Sequence, residues 1–433
     1  MKRPVIGTIR PPGSKSITNR ALVLGALASH TRPVDLAGVL FSEDTELMIE
    51  ALRQLGFEVQ AEPSTGRVYL QRTPGTRLIP ASRAELFCGN SGTTLRFLTA
   101  LVSLGQGSYR LDGVPRMRER PIEDLLAALR QLGVEAVSET GTGCPPVRIT
   151  TSGWPRKAQA LIRGEVSSQF LSALLLAAPW SGSEVTLQLP GALVSQPYVD
   201  MTLAMLERFG ARVVVREDSG AFAGSRTFWI PAQQPCGCKQ YVIEPDATAA
   251  TYWWAVAAIT GGSVSVSGLG QESLQGDVRF VEVLQRMGCR VDWTAQGITV
   301  SGGPVRGVDV DMNAISDTVM TLAAVACFAE GPTRIFNVAH IRHKETDRLA
   351  ALACELRRLG ITVRESPDGL EIHPGPMHGA LVETYNDHRL AMSLALIGLR
   401  VPNVIIQNPA CVAKTYPEFF ADLERLCVSA RSG

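Results

Sequence analysis

Cationic and hydroxyl side chains stand beside glycine at the starts of segments that are otherwise almost wholly aliphatic. GSKSITNR carries Lys15, Ser16 and Arg20, and GNSGTT carries Asn90, Gly92 and Thr93 with Arg96 one turn further on. EVSSQF carries Ser167, Ser168 and Gln169, while Asp246, Asp317 and His388-Arg389 open three later segments. Between them RMRERP supplies Arg120, SQPY supplies Ser195 and Tyr198, HKETDR supplies Lys344, Glu345 and Arg348, and AKT supplies Lys414. If these are helix starts, each presents free N–H groups and a partial positive charge, which favours a nearby anion by ~0.3–1 kcal/mol. Glycine lets backbone approach an anion closely, and added Lys or Arg makes charge-assisted contacts about twice as strong as neutral ones. The chemistry implied is the holding of small substrates that bear phosphates and carboxylates.

Each motif alone has a plainer reading. Ser and Asn at a helix start are usually caps. GSKS lacks the first glycine of a nucleotide P-loop, so that fold is not expected. His340 and His343 of HIRH lie in a basic stretch without a matching carboxylate pair, and no metal site is expected there. No Ser-His-Asp order or activated cysteine stands out.

The elements that would position these residues repeat along the chain. LRQLGFEV begins at Leu52, LRQLGVEAV at Leu129, LERFGARVVV at Leu206, LQRMGCRV at Leu284 and LRRLGITV at Leu356, with a weaker LERLCVS at Leu423. The ~70–80-residue spacing divides the chain into six similar units. Each segment reads as the end of an amphipathic helix, with Gly56, Gly133, Gly210, Gly288 or Gly360 as left-handed cap before a strand. Upstream in each unit lies a second helix that is apolar nearly all round and so should be buried. The unit is βαβαββ, in an α/β chain, and three units around their buried helices would make one domain. The Pro-, Gly- and polar-rich PAQQPCGCKQ, between Ile230 and Tyr241, suits either a linker between two such domains or a long loop.

Bulk properties narrow the partners. A chain of 433 residues exceeds one hydrophobic core. A formal charge of +1 argues against nucleic acid or an anionic membrane. The start, MKRPVIGTIRPPG, has no signal-peptide core, and the most apolar stretch, Leu171 to Pro179, is half the length of a membrane span. The nine cysteines read as reduced thiols of a cytoplasmic protein. Cys236 and Cys238 lack a second ligand pair, so zinc is not expected.

The blocks PPGSKSITNRALVLGALA, LFCGNSGTTLRFLTAL, RMRERP, EVSSQFLSALL, SQPYVD, EPDATAA, HKETDRL, YNDHRLAM and AKTYPEFF resemble those of the 5-enolpyruvylshikimate-3-phosphate synthase family, in its order and over nearly the whole chain. The resemblance implies the enolpyruvyl transferase fold, an inside-out α/β barrel of two three-unit domains closing on substrates in the cleft between them. It places one domain at 1-13 and 241-433 and the other at 14-240, with crossings near Pro12-Gly13 and Cys238 to Tyr241. It implies addition of phosphoenolpyruvate to the 5-hydroxyl of shikimate 3-phosphate and loss of phosphate through a tetrahedral intermediate, without cofactor or metal, by a cytoplasmic monomer whose partners are those small molecules.

The family's pattern further implies that shikimate 3-phosphate is held by Lys15, Ser16, Arg20, Ser167, Ser168, Gln169, Ser195, Tyr198, Asp317 and Lys344. Phosphoenolpyruvate falls to Lys15, Asn90, Gly92, Arg120, Gln169, Arg348, Arg389 and Lys414. Asp317 is the candidate for the hydroxyl proton, and Glu345 with Lys15 or Lys414 for exchange at C3. Phe97 stands where many members have proline, and His340 where several have asparagine. Gly92 implies inhibition by glyphosate. The sister transferase that uses UDP-N-acetylglucosamine carries a cysteine in the loop matching Gly113 to Pro121, and none is present here. A non-catalytic repeat scaffold would explain the periodicity but not the charged helix starts.

Overall fold

The structure is a computed structural model that describes residues 4–30, 32–217, 225–234 and 237–429; Cys236 of the linker lies outside the described residues. In chain order the first repeat is β1 (Ile6–Ile9), α1 (Lys15–Ala28), β2 (Val34–Ala37), α2 (Glu43–Gln54), β3 (Glu58–Glu62) and β4 (Arg67–Gln71). The second is β5 (Arg83–Phe87), α3 (Gly92–Val102), β6 (Gly107–Asp112), α4 (Glu123–Gln131), β7 (Glu135–Ser138) and β8 (Val147–Thr151). The third is β9 (Lys157–Leu161), α5 (Ser168–Ala177), β10 (Glu184–Leu189), α6 (Pro197–Arg208), β11 (Val214–Glu217) and β12 (Arg226–Ile230).

The fourth is β13 (Gln240–Val242), α7 (Ala247–Thr260), β14 (Ser263–Ser267), α8 (Phe280–Arg286), β15 (Arg290–Thr294) and β16 (Gly297–Ser301). The fifth is β17 (Asp309–Asp311), α9 (Val319–Ala326), β18 (Thr333–Phe336), α10 (Arg348–Arg358), β19 (Thr362–Ser366) and β20 (Gly369–His373). The sixth is β21 (Leu381–Val382), α11 (His388–Ile397), β22 (Ile405–Ile406) and α12 (Phe419–Ser429). It departs from the predicted βαβαββ pattern: among the described residues no strand follows α12. Its last helix packs on β1, where Gly7 leaves room: a Cβ there would lie 2.5 Å from Leu426 Cδ1.

Five repeats build a four-stranded sheet in which one edge pair is parallel and the other pairings are antiparallel, and the sixth builds a two-stranded parallel sheet. Two first strands are exchanged. β1 pairs with β14, Ile6 opposite Ser263, and β13 pairs with β2, Gln240 opposite Asp35. The chain accordingly forms two compact units, one of Met1–Pro12 with Glu244–Gly433 and one of Gly13–Ile243. The second crossing comes at Ile243–Glu244, later than 238–241, because β13 must first complete its ladder with β2.

In the Gly13–Ile243 unit, α1, α3 and α5 pack on one another; in the other unit, α7, α9 and α11 do so. These helices have no polar stripe to turn toward water, and Trp253 and Trp254 of α7 are both fully buried. Truncating either to Ala is expected to cost about 3–5 kcal/mol. The helices that close with the glycine motif are amphipathic and face solvent on one side, as in α2, where Met48, Ile49 and Leu52 are buried and Glu43 and Glu50 are not. Gly56, Gly133, Gly210, Gly288 and Gly360 all take the left-handed conformation predicted for them, with φ from 77° to 108°. No helix among the described residues is long and apolar enough to cross a membrane.

Candidate functional site

In the Gly13–Ile243 unit the cation-bearing starts are stitched to one another by short polar contacts. Ser14 caps α1 through its side chain, and Lys15, the first helical residue, is buried with Nζ 3.3 Å from Asp44 Oδ2 in the first turn of α2. The Asp44 carbonyl in turn accepts from Thr94 Oγ1 of α3 at 3.0 Å. Three helix starts thus share one residue.

At the start of α3, Ser91 is the N-cap and its Oγ accepts the Thr94 N–H. Gly92 then sits against two guanidinium groups: a Cβ built there would be 2.3 Å from Arg96 Nη1 and 2.5 Å from Arg120 Nη2. Only hydrogen fits. Arg120 is buried and donates from Nη1 to the Asn90 carbonyl at 2.8 Å and to Asn90 Oδ1 at 3.1 Å. It ends a 3-10 turn, Pro115–Glu119, that Asp112 secures by taking Arg118 bidentately at 2.9 and 2.7 Å. Arg96 reaches across to Gln169 Oε1 at 2.9 Å and to the Pro121 carbonyl at 3.0 Å, with its guanidinium 5.3 Å from the Phe170 ring.

Arg20, in the second turn of α1, is deeply buried. Only 1% exposed, it donates to Thr202 Oγ1 (2.8 Å), Ser172 Oγ (3.4 Å) and the carbonyls of Ser16 (2.9 Å) and Tyr198 (3.0 Å). Burial lowers its pKa to about 10, which leaves it charged at neutral pH. Phe97 lies 5.1 Å beneath this guanidinium and continues α3 without a break. Ser167 caps α5 by accepting from Gln169 N, with Ser168 buried beside it. Ser195 holds a left-handed backbone, φ 51°, and its carbonyl accepts the Tyr198 N–H of α6 at 3.1 Å.

In the other unit the equivalent starts converge on carboxylates. Asp317 lies in the 3-10 turn Asn313–Thr318 ahead of α9 and takes Arg348 Nη1 at 3.0 Å on one oxygen and Arg389 Nη2 at 2.8 Å on the other, with Lys344 Nζ at 3.7 Å. Arg348 also donates to Glu345 Oε2 at 2.8 Å and from Nε to Asp387 Oδ2 at 2.8 Å. Burial works to lower the Arg348 pKa, but Asp387, Glu345 and Asp317 outweigh it and raise the value above that of a free guanidinium. Asp387 is the N-cap of α11, accepting the Arg389 N–H at 2.8 Å. Lys414 is buried at the end of the turn Pro409–Lys414.

Four contributors escaped sequence reasoning: Asp44, Arg96 in its contact with Gln169, Asp387 and Asp277. Asp387 carried a local signal, standing one residue before the helix as Asp does at an N-cap. Asp277 carried none. Buried in the turn Gly276–Arg279, it accepts a short hydrogen bond from Thr248 at the start of α7, and its pKa is pushed up to about 7 by burial and then by Asp317. His340, left aside as a site residue, has Nε2 2.9 Å from Ser316 Oγ; burial and then Lys344 push its pKa down to about 3, so it is neutral at working pH.

The family model for EPSP synthase (3-phosphoshikimate 1-carboxyvinyltransferase) matches residues 1–423. The chain is 45% identical over 421 residues to the 3-phosphoshikimate 1-carboxyvinyltransferase of Nostoc punctiforme, covering 97% of this chain and 96% of that one. It is 43% identical to the chloroplastic enzyme of Arabidopsis thaliana, covering 98% of this chain and 83% of the relative. Its fold matches the solved EPSP synthase of Acinetobacter baumannii with a TM-score of 0.76 at 24% identity, over 98% of this chain and 96% of that one. With glycine-backed arginines at the helix starts of one unit and arginine-ringed carboxylates in the other, the chain belongs to the EPSP synthase family.

Proposed function

We propose that the charged helix starts of both units serve one substrate pair. The reaction is the family's: the enolpyruvyl group of phosphoenolpyruvate passes to the 5-hydroxyl of shikimate 3-phosphate and phosphate is released. The hydroxyl oxygen bonds to C2 of phosphoenolpyruvate as C3 gains a proton. The tetrahedral adduct then expels phosphate and C3 loses a proton, restoring the double bond.

Asp317 is the acceptor of the hydroxyl proton on this reading. The observation that carries the proposal is its setting: Arg348, Arg389 and Lys344 converge on its two oxygens and fix the direction in which it points. It is also the accessible carboxylate of its cluster, 15% exposed against 7% for Glu345 and none for Asp387. A base must reach its substrate, so Asp387 is confined to support. Glu345, with Lys15 or Lys414, exchanges the proton at C3, and the cations stabilise the departing phosphate.

Gly92, Asn90 and Arg120 form the cradle for phosphoenolpyruvate, joined by Lys15, Gln169, Arg348, Arg389 and Lys414. Ser16, Ser167, Ser168, Gln169, Ser195, Tyr198, Lys15, Lys344 and Asp317 hold shikimate 3-phosphate. Arg20 contributes its charge and the placement of Ser16 and Tyr198, whose carbonyls it grips. The chain works as a cytoplasmic monomer with these small anions as its partners. With Gly92 retained, glyphosate inhibits it; full activity at high glyphosate would overturn that point.

The test is phosphate release from phosphoenolpyruvate with and without shikimate 3-phosphate, the organic product being identified by mass spectrometry. Release that requires the shikimate, together with an enolpyruvyl ether, is the expected result. Release independent of the acceptor, or none, would reject the assignment.

A further inference from the structure

The segment leading into α11 adopts a backbone that its residues disfavour. Tyr385 and Asn386, consecutive and both bearing Cβ, each have φ 53°, in the left-handed region. Such a pair persists only where its surroundings hold it. The holding group is Glu355, near the end of α10, whose side chain is completely buried. Its Oε2 accepts the Glu383 N–H at 3.0 Å and its Oε1 accepts the Tyr385 O–H at 2.9 Å, while Arg358 Nε lies 3.3 Å from Oε2. Two residues beyond Tyr385 come Asp387 and then Arg389, so the strained turn sets how α11 enters.

The same turn reaches a second functional segment. Asn386 Oδ1 accepts from Asn408 Nδ2 at 3.1 Å, and Asn408, itself left-handed at φ 51°, precedes the turn Pro409–Lys414 that ends on Lys414. Glu355 also shares its helix with Arg348, the first residue of α10. Three cations on three elements are therefore joined behind the site through one carboxylate and one strained turn.

We propose that Glu355, acting through Tyr385 and Asn386, is a positioning residue for the phosphoenolpyruvate-binding cations Arg348, Arg389 and Lys414, an inference that rests on the roles proposed above for those cations. It touches no substrate. It holds α10, the entry to α11 and the Lys414 turn in mutual register, so that its loss loosens the grip on phosphoenolpyruvate and leaves the shikimate contacts of the other unit alone.

The experiment compares wild type with Tyr385→Phe, Asn386→Gly and Asn386→Asp by steady-state kinetics in both substrates and by thermal unfolding. Tyr385→Phe removes the bond to Glu355 and should raise KM for phosphoenolpyruvate roughly tenfold, the scale of one lost hydrogen bond, with a distinctly smaller change in KM for shikimate 3-phosphate. Asn386→Gly should raise the same KM without lowering Tm, since glycine accepts the left-handed backbone freely. Asn386→Asp keeps the acceptor and should behave as wild type. Unchanged KM for phosphoenolpyruvate in both Tyr385→Phe and Asn386→Gly, or equal losses for both substrates that track Tm, would overturn the proposal. Wild-type turnover in the same assay separates that outcome from failure of the underlying reaction.

Discussion

The two units carry the same repeat yet arm their helix starts differently. In the Gly13–Ile243 unit, Lys15 pairs with Asp44, while Arg20, Arg96 and Arg120 donate to hydroxyls, side-chain amides and carbonyls. In its counterpart, Arg348, Arg389 and Lys344 interleave with Asp317, Glu345 and Asp387. Cations at helix starts favour anions, the helix's partial positive charge adding to their own. Cations paired with carboxylates also fix where those carboxylates point, which is what proton transfer requires. One scaffold thus sets its substrate-binding cations among mostly neutral partners in one copy and among carboxylates in the other, through the choice of residue at a few helix starts.

The sharpest way to break this division is Asp317→Asn. If the carboxylates of the second unit move protons, kcat should fall about 10²–10⁴-fold while KM for phosphoenolpyruvate changes little. A rise in KM at intact kcat would confine Asp317 to binding and remove it as the base. Next in size is Arg120→Ala. Loss of a charged donor from the binding unit should raise KM for phosphoenolpyruvate about 10–100-fold, read by initial-rate kinetics, with a smaller effect on kcat.

Gly92→Ala sharpens the same point from the backbone side. The added methyl must displace Arg120 or Arg96, because its Cβ would stand 2.5 and 2.3 Å from their terminal nitrogens. A weaker grip on phosphoenolpyruvate, roughly tenfold, is expected from misplacing a charged donor. A variant with wild-type KM would show that the arginines yield without consequence.

The smallest effect concerns Asp277, which neither binds nor transfers in this scheme. Its pKa rises from 3.8 to about 7 on folding, through burial and then Asp317. Between those values the folded protein keeps a proton that the unfolded chain has lost, so stability falls as pH rises through that window and then levels off. Asp277→Asn abolishes this term. Thermal unfolding at about pH 5 and pH 8 should show the variant gaining on wild type at the higher pH; parallel slopes would refute the shift.

Much of the fold was legible because its signals are local. A helix end followed by Gly56 or Gly360 needs only the left-handed cap, and a segment such as ATAATYWWAVAAI has no polar stripe whichever neighbours it meets. Helix starts with Ser14, Ser91 and Ser167 were equally plain, since capping involves residues within one turn. The family blocks added which starts carry the chemistry.

What the sequence by itself determined was therefore the set of elements, their ends and the side chains at those ends. Only tertiary structure decided that β13 joins β2 before the chain crosses, that Arg20 turns inward to Thr202 and Tyr198, and that Asp387, Asp277 and Glu355 stand behind the working residues. Those outcomes join residues up to 205 positions apart (240 − 35), as with Gln240 and Asp35 in one ladder. Backbone propensity and capping act over a few residues, whereas the pairing of a buried charge is settled by whatever the packed core places beside it.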